Sequence, residues 1–356
     1  MIAAPALGPT LGGYLVEYLN WRLVFYINIP VAILGVGMAI AMLPTFARQP
    51  TYRFDVLGFL TAAGGLVALL LAFSEGESWG WSSYGVVSLI AAGVLLLALF
   101  VVIELEVEHP LLNLDVFRCF PYVNSLAIMS IVQIGMFATL FYIPVFLQLA
   151  MGLPALDAGM LVLPQALVMA VMAPLSGRIY DRIGPRWLVF TGLLISAYGT
   201  FLLTGLNPNV SRGQIILWTC VRAFGTGLSM MSVMASGTAA LDPLLTSSGT
   251  AINNVVQRVS SALGLAVMSA LVTTQQAQLA ADRGALFQAT DPRFARLGVL
   301  GLYQLSRAVN LDAVVNSYTN MFRVTSLITL LAAFGALTLR SGPVRRPAGA
   351  SAAVMD

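Results

Sequence analysis

The sequence predicts an all-α polytopic membrane protein, on three observations. Of its 356 residues, 58% are hydrophobic. Only 9% are charged, against about 25% in a soluble domain. Apolar runs of roughly 20 residues, each long enough to cross about 30 Å of hydrocarbon, recur along the whole chain. Backbone groups in lipid must find their partners within the segment, so such runs are helices. They are too long and too continuously apolar for barrel strands.

Full spans are expected near 21–43, 55–74, 84–104, 122–148, 155–176, 186–206, 213–240, 249–273 and 318–340, after a partial span at 1–16. Arginine placement orients them, because cytoplasmic connections carry the excess of basic residues. With 44–54 inside, the cytoplasmic segments hold Arg48, Arg53, Arg118, Arg178, Arg182, Arg186, Arg340, Arg345 and Arg346. The short outer connections hold only Arg22 and Arg212. The outer connection 75–83 carries Glu75, Glu77, Trp79 and Trp81, which suits an interfacial belt. A long outer loop is expected at 274–317, partly helical around 275–287. Residues 341–356 are small, polar and rich in Pro and Ala, and read as a disordered cytoplasmic tail.

Composition excludes several functions. The net charge is +3 and every basic residue is Arg, too few and too scattered for a nucleic-acid surface. Cys119 and Cys220 stand far apart, without metal or redox spacing. The one histidine, His109, has no second ligand at metal spacing, so no metal or other cofactor is expected. There is no HExxH, no nucleophile elbow on a strand-to-helix turn and no phosphate-binding glycine loop. The chain is therefore not read as an enzyme or as an ATP-driven pump.

The first specific pattern is Ala4-Pro-Ala-Leu-Gly8-Pro9-Thr-Leu-Gly12-Gly13. Pro9 removes a backbone hydrogen bond and kinks a helix. Gly8 and Gly12, four apart, allow a neighbouring backbone to come close. A second pattern follows, with Trp21, Arg22, Phe25, Ile27, Asn28 and Pro30 at WRxxFxINxP spacing. A third lies between two spans: Gly177, Asp181, Arg182, Gly184 and Arg186, with Tyr180 and Pro185 among them. Its glycines suit a tight cytoplasmic turn. Asp181 could accept from a helix N-terminus or from Arg, as a latch that breaks when two halves rock.

These patterns resemble those of the major facilitator superfamily, in particular the EmrB/QacA-type fourteen-helix drug:proton antiporters. Gly8, Pro9, Gly12 and Gly13 match the antiporter motif of the fifth helix, with Ala4 in place of its first glycine. Residues 21–30 resemble the signature after that helix. Gly177 to Arg186 resemble the second-half copy of the gating-loop motif, from which Tyr180 and Pro185 depart. The resemblance implies a partial major facilitator fold. Residues 1–43 would be the fifth and sixth helices, and 44–120 two linking helices with a cytoplasmic loop. Residues 121–340 would be the C-terminal six-helix bundle with its outer loop, and the helices resembling the first four are absent.

Polar residues inside spans are costly and usually face a cavity or another helix. Arg222, Gly225, Thr226, Ser229 and Ser236 share an arc of about 120° on one span. Asn253, Asn254, Gln257, Arg258 and Ser261 share one on the next. Gln133 and Gln165 sit similarly in their own spans. Gln133, Gln165, Arg222, Asn253, Asn254, Gln257 and Arg258 either line a transport pathway or act as internal glue, each Arg capping carbonyls or pairing with a carboxylate. No Asp or Glu sits deep in a span, and Asp55, Glu104 and Asp157 lie near span ends. Proton coupling needs a titratable group in the pathway. The resemblance assigns that group to an early helix, so this chain alone is expected to lack it.

The resemblance implies multi-pass residence in the bacterial cytoplasmic (inner) membrane and efflux of drugs or other amphipathic small molecules by proton-coupled antiport in the full-length form. The implied partners are the lipid bilayer, a lipophilic or amphipathic substrate and protons. Some family members also use a periplasmic adaptor and an outer-membrane channel, which nothing in the sequence decides. A specific metabolite or siderophore as cargo, and a non-transporting truncated remnant, remain open alternatives.

Overall fold

The computed structural model describes residues 3–42, 55–107, 112–285 and 298–339. Every regular element among them is a helix. Arg48, Arg53, His109, Arg340, Arg345, Arg346 and the 341–356 tail lie outside the described residues.

Helix α1 (Ala3–Tyr18) runs unbroken through Pro9. The expected span 21–43 comes in two pieces, α2 (Leu23–Tyr26) and α3 (Asn28–Met42). Helices α4 (Val56–Trp79) and α5 (Tyr84–Glu106) form an antiparallel pair. Asp55 caps α4 by accepting from Gly58 N–H, and Ser83 caps α5 by accepting from Val86 N–H. They cross on glycine: a Cβ at Gly65 would meet the Gly93 carbonyl oxygen at 3.1 Å, and a Cβ at Gly93 would meet that of Gly65 at 3.1 Å. Only residues without side chains allow that approach, the means by which membrane helices gain packing that lipid does not supply.

Six further helices build a bundle: α6 (Phe120–Met151), α7 (Ala155–Ile183), α8 (Pro185–Leu202), α9 (Arg212–Ala239), α10 (Thr246–Ala285) and α11 (Gly298–Ala336). Nine segments among the described residues are long and apolar enough to cross a membrane. In the bundle α9 packs on α6, α7 and α8, while α6, α8 and α10 all contact α11. The core is an aliphatic and aromatic stack in which Tyr142, Phe146, Tyr318 and Phe322 are buried. Tyr318 sits between Tyr142 and Phe146, at centroid distances of 5.7 and 5.4 Å. Hydroxyls close the crossings: Ser176 donates to the Leu228 carbonyl at 2.6 Å, Ser326 to that of Ala197 at 2.9 Å and Tyr122 to that of Gly249 at 2.8 Å.

The expected outer loop at 274–317 is mostly helix. α10 continues to Ala285, and α11 begins at Gly298, where residues 286–297 are not described. At 40 and 39 residues, each would measure about 60 Å if straight, twice the hydrocarbon thickness. The Ala, Gln and Leu of 275–285 are good helix formers, so the span pattern ends while the helix does not.

Candidate functional site

Helix α1, whose glycines and proline resemble the antiporter motif, lies against α7. Its contact face is Thr10, Gly13 and Glu17, spaced three and four apart and hence on one side of the helix. Gly13 is buried, and a Cβ there would stand 2.8 Å from the Ala155 carbonyl oxygen. Thr10 donates to the Gly159 carbonyl at 3.1 Å. Glu17 accepts from the Leu156 N–H at 2.9 Å, a carboxylate capping the first turn of a helix in another element. Gly8 and Gly12, expected to provide the close approach, have open space where a Cβ would stand. They lie off the α7 face, and Gly13 takes that part.

The signature residues group at the turn after α1. Trp21 and Phe25 meet edge to face at 6.2 Å, and the Arg22 guanidinium lies over the Trp21 ring at 5.5 Å. Asn20 accepts from the Arg22 N–H, which tightens the turn. Trp21, Arg22, Phe25, Asn28 and Pro30 are all exposed.

In the third motif only Gly184 makes the turn, with φ +82° between α7 and α8. Gly177 sits within α7, contrary to the expectation of a tight turn from both glycines. Pro185 explains the sharp stop, as it starts α8 at a position that needs no N–H. Asp181 and Arg182 end α7 exposed, and neither forms a salt bridge or hydrogen bond among the described residues. Arg186 covers the Trp187 ring at 5.6 Å.

The intramembrane polar residues divide. Arg222 on α9 is 5% exposed and donates to Gln165 Oε1 of α7 at 3.0 Å. A neutral amide is therefore its partner, and neither a carboxylate nor a backbone carbonyl takes that place. Its Nε and Gln165 Nε2 have no hydrogen-bond partner among the described residues. Arg222 borders an internal cavity of about 10 Å³ with Ser196, Thr200, Thr226 and Thr329. That is the lower limit for a single water, far below the roughly 300 Å³ of a ligand site. Gln133 is buried in α6 with Oε1 unpartnered. The α10 arc straddles the surface: Asn253 is buried, Gln257 half-buried, and Asn254 and Arg258 exposed.

The sequence places Glu104 near a span end but does not mark it as buried. It is 4% exposed in the last turn of α5 and accepts from the Leu112 N–H. Arg212 and Asp157 pair at 3.3 Å between the first turns of α9 and α7, both partly exposed.

Comparison with known proteins places these helices in a transporter superfamily. Residues 1–265 match the Major Facilitator Superfamily, and the chain belongs to it. It is 34% identical over 275 residues to the MFS-type transporter YhcA of Bacillus subtilis, covering 77% of this chain and 52% of that one. It is 35% identical over 286 residues to the puromycin resistance protein pur8 of Streptomyces alboniger, covering 78% and 56%. It is 29% identical over 295 residues to the tetracenomycin C resistance and export protein of Streptomyces glaucescens, covering 82% and 54%. The chain thus spans about half the length of the curated relatives it matches. A bacterial homologue of the human lysosomal transporter Spinster, solved inward-facing and unoccupied, shares the fold at a TM-score of 0.51 and 16% identity, over 96% of this chain and 84% of that one.

Proposed function

We propose that these residues form the C-terminal part of a drug exporter of the EmrB/QacA type, which moves amphipathic small molecules out across the bacterial cytoplasmic membrane by antiport with protons. The observation that carries the reading is the seating of α1 on α7 through Thr10, Gly13 and Glu17. That contact joins the helix resembling the antiporter motif to the bundle of α6–α11, where alternating access needs a surface that can part. The self-paired hairpin α4–α5 supports the fourteen-helix subtype. Resistance and export in the names of relatives support drugs as cargo. The exposed Asn254 and Arg258, with the half-buried Gln257, offer a polar strip for the pathway. The proton carrier is assigned to a part of the transporter outside these residues, since no span here has a carboxylate at mid-membrane.

The test is transport. The transporter containing these residues, reconstituted in liposomes with an imposed pH gradient, is expected to move puromycin against its own gradient. Arg258→Ala should slow that movement about tenfold, by loss of a charged pathway group. Movement indifferent to the pH gradient would remove proton coupling, and no movement of puromycin or any other amphipathic compound would remove the exporter reading.

A further inference from the structure

Arg222 is buried near the middle of α9 with its charge uncompensated. Among the described residues it forms no salt bridge, its side-chain hydrogen bond goes to the neutral Gln165, and its Nε has no partner. A charge inside a membrane bundle ordinarily meets its opposite, and removing one from water unpaired is costly. The cavity of about 10 Å³ beside it lies inside the bundle, walled by α6, α8, α9 and α11. Besides Arg222, its polar border is four hydroxyls: Ser196 and Thr200 of α8, Thr226 of α9 and Thr329 of α11. No carboxylate borders it.

The walls are tightly set. A Cβ at Gly199 of α8 would run into the Arg222 backbone, and one at Gly135 of α6 would stand 3.3 Å from Thr329 Oγ1. Three of the hydroxyls donate to carbonyls one turn back in their own helices: Thr200 to Ser196 at 2.8 Å, Thr226 to Arg222 at 3.0 Å and Thr329 to Thr325 at 2.8 Å. A helix carbonyl also accepts from the backbone ladder. Such a hydroxyl can therefore turn to another acceptor without orphaning the carbonyl it leaves. Ser196 and Thr226 meet hydroxyl to hydroxyl at 2.9 Å.

Charge and size define the occupant. Arg222 repels a cation. Phosphate, sulfate and organic carboxylates exceed a space with room for one particle. A water would satisfy donors and leave the charge unbalanced. A halide accepts from the guanidinium and from hydroxyls turned toward it, cancels the charge, and is only slightly wider than a water. We propose that this cavity binds a single chloride ion between Arg222 and the hydroxyls of Ser196, Thr200, Thr226 and Thr329, a counter-ion that ties α9 to α8 and α11. The site involves neither the polar strip of α10 nor proton coupling, and it does not rest on the exporter reading.

The test is thermal unfolding of the 356-residue chain in lipid nanodiscs, with sodium held constant and chloride exchanged for gluconate, which is too large to enter. Chloride should raise the midpoint saturably, by about 3 °C. Bromide should act as chloride does, and sulfate as gluconate does. Arg222→Met should abolish the rise. Thr329→Val keeps the shape and the guanidinium but removes one hydroxyl. It should raise the chloride concentration for half the effect about fivefold, and it decides the matter if Arg222→Met does not fold. A midpoint indifferent to chloride would mark the cavity as a water site and overturn the proposal. So would a rise that persists in Arg222→Met, or a titration unmoved by Thr329→Val, since either is a general salt effect.

Discussion

Arg222 shows what a charge needs inside a bundle. Its partner is the neutral Gln165, and its Nε has none. Hydrogen bonds to charged groups contribute about 1.5–3 kcal/mol, and a buried charge that loses its partner is heavily penalised. Gln165→Leu is therefore expected to destabilise the chain by about 2–3 kcal/mol. Arg222→Met removes both the charge and its requirement, and should cost less. Denaturant unfolding in detergent micelles compares the two. If Arg222→Met proves the more damaging, the guanidinium contributes net stability and the ranking fails. Periodicity could place Arg222, Thr226 and Ser229 on one arc, but could not say which neighbour that arc meets. The side is set by α8, whose Gly192 and Gly199 lie tight against α9.

At the scale of elements, glycine decides which helices touch. Gly93→Leu is expected to push α5 off α4 at a cost of about 1–3 kcal/mol, the range for overpacking, read by the same unfolding measurement. On α1 the prediction is a contrast. Gly13→Leu should broaden the distance distribution between spin labels at Tyr14 and Met160, whereas Gly12→Ala, which meets open space, should leave it narrow. Equal behaviour of the two variants would mean that α1 does not seat on α7 through Gly13. The helices themselves were legible because hydropathy is a property of each segment alone. Motif spacing marked α1 as special. Gly8 and Gly12 meet open space within this chain, because a four-residue glycine spacing identifies a face without identifying what lies across from it.

For the molecule as a whole, the lengths of α10 and α11 set its reach. About half of each helix exceeds the hydrocarbon core, and the expected loop becomes a helical projection on the side that charge bias assigns to the exterior. Single cysteines replacing Gln278 and Ser306, in a chain where Cys119 and Cys220 are serine, should react with a membrane-impermeant maleimide added to whole cells. Protection of both would place these turns in lipid or on the cytoplasmic side. Nothing in hydropathy marks this projection, because the pattern of a membrane span stops where the lipid stops while the backbone ladder can run on.

The contact between α1 and α7 has a further consequence for how this protein can change over time. On the α7 side the groups engaged are the Ala155 and Gly159 carbonyls and the Leu156 amide. Carbonyls belong to every amino acid, and the amide to all but proline. Substitutions at 155 and 156 can thus drift without altering the donors and acceptors that α1 meets, provided the helix persists and position 156 avoids proline. On α1 the same contact depends on a missing side chain, a hydroxyl and a carboxylate. One surface of the joint is written in side chains and the other in main chain, so a comparison of related sequences would see only half of it.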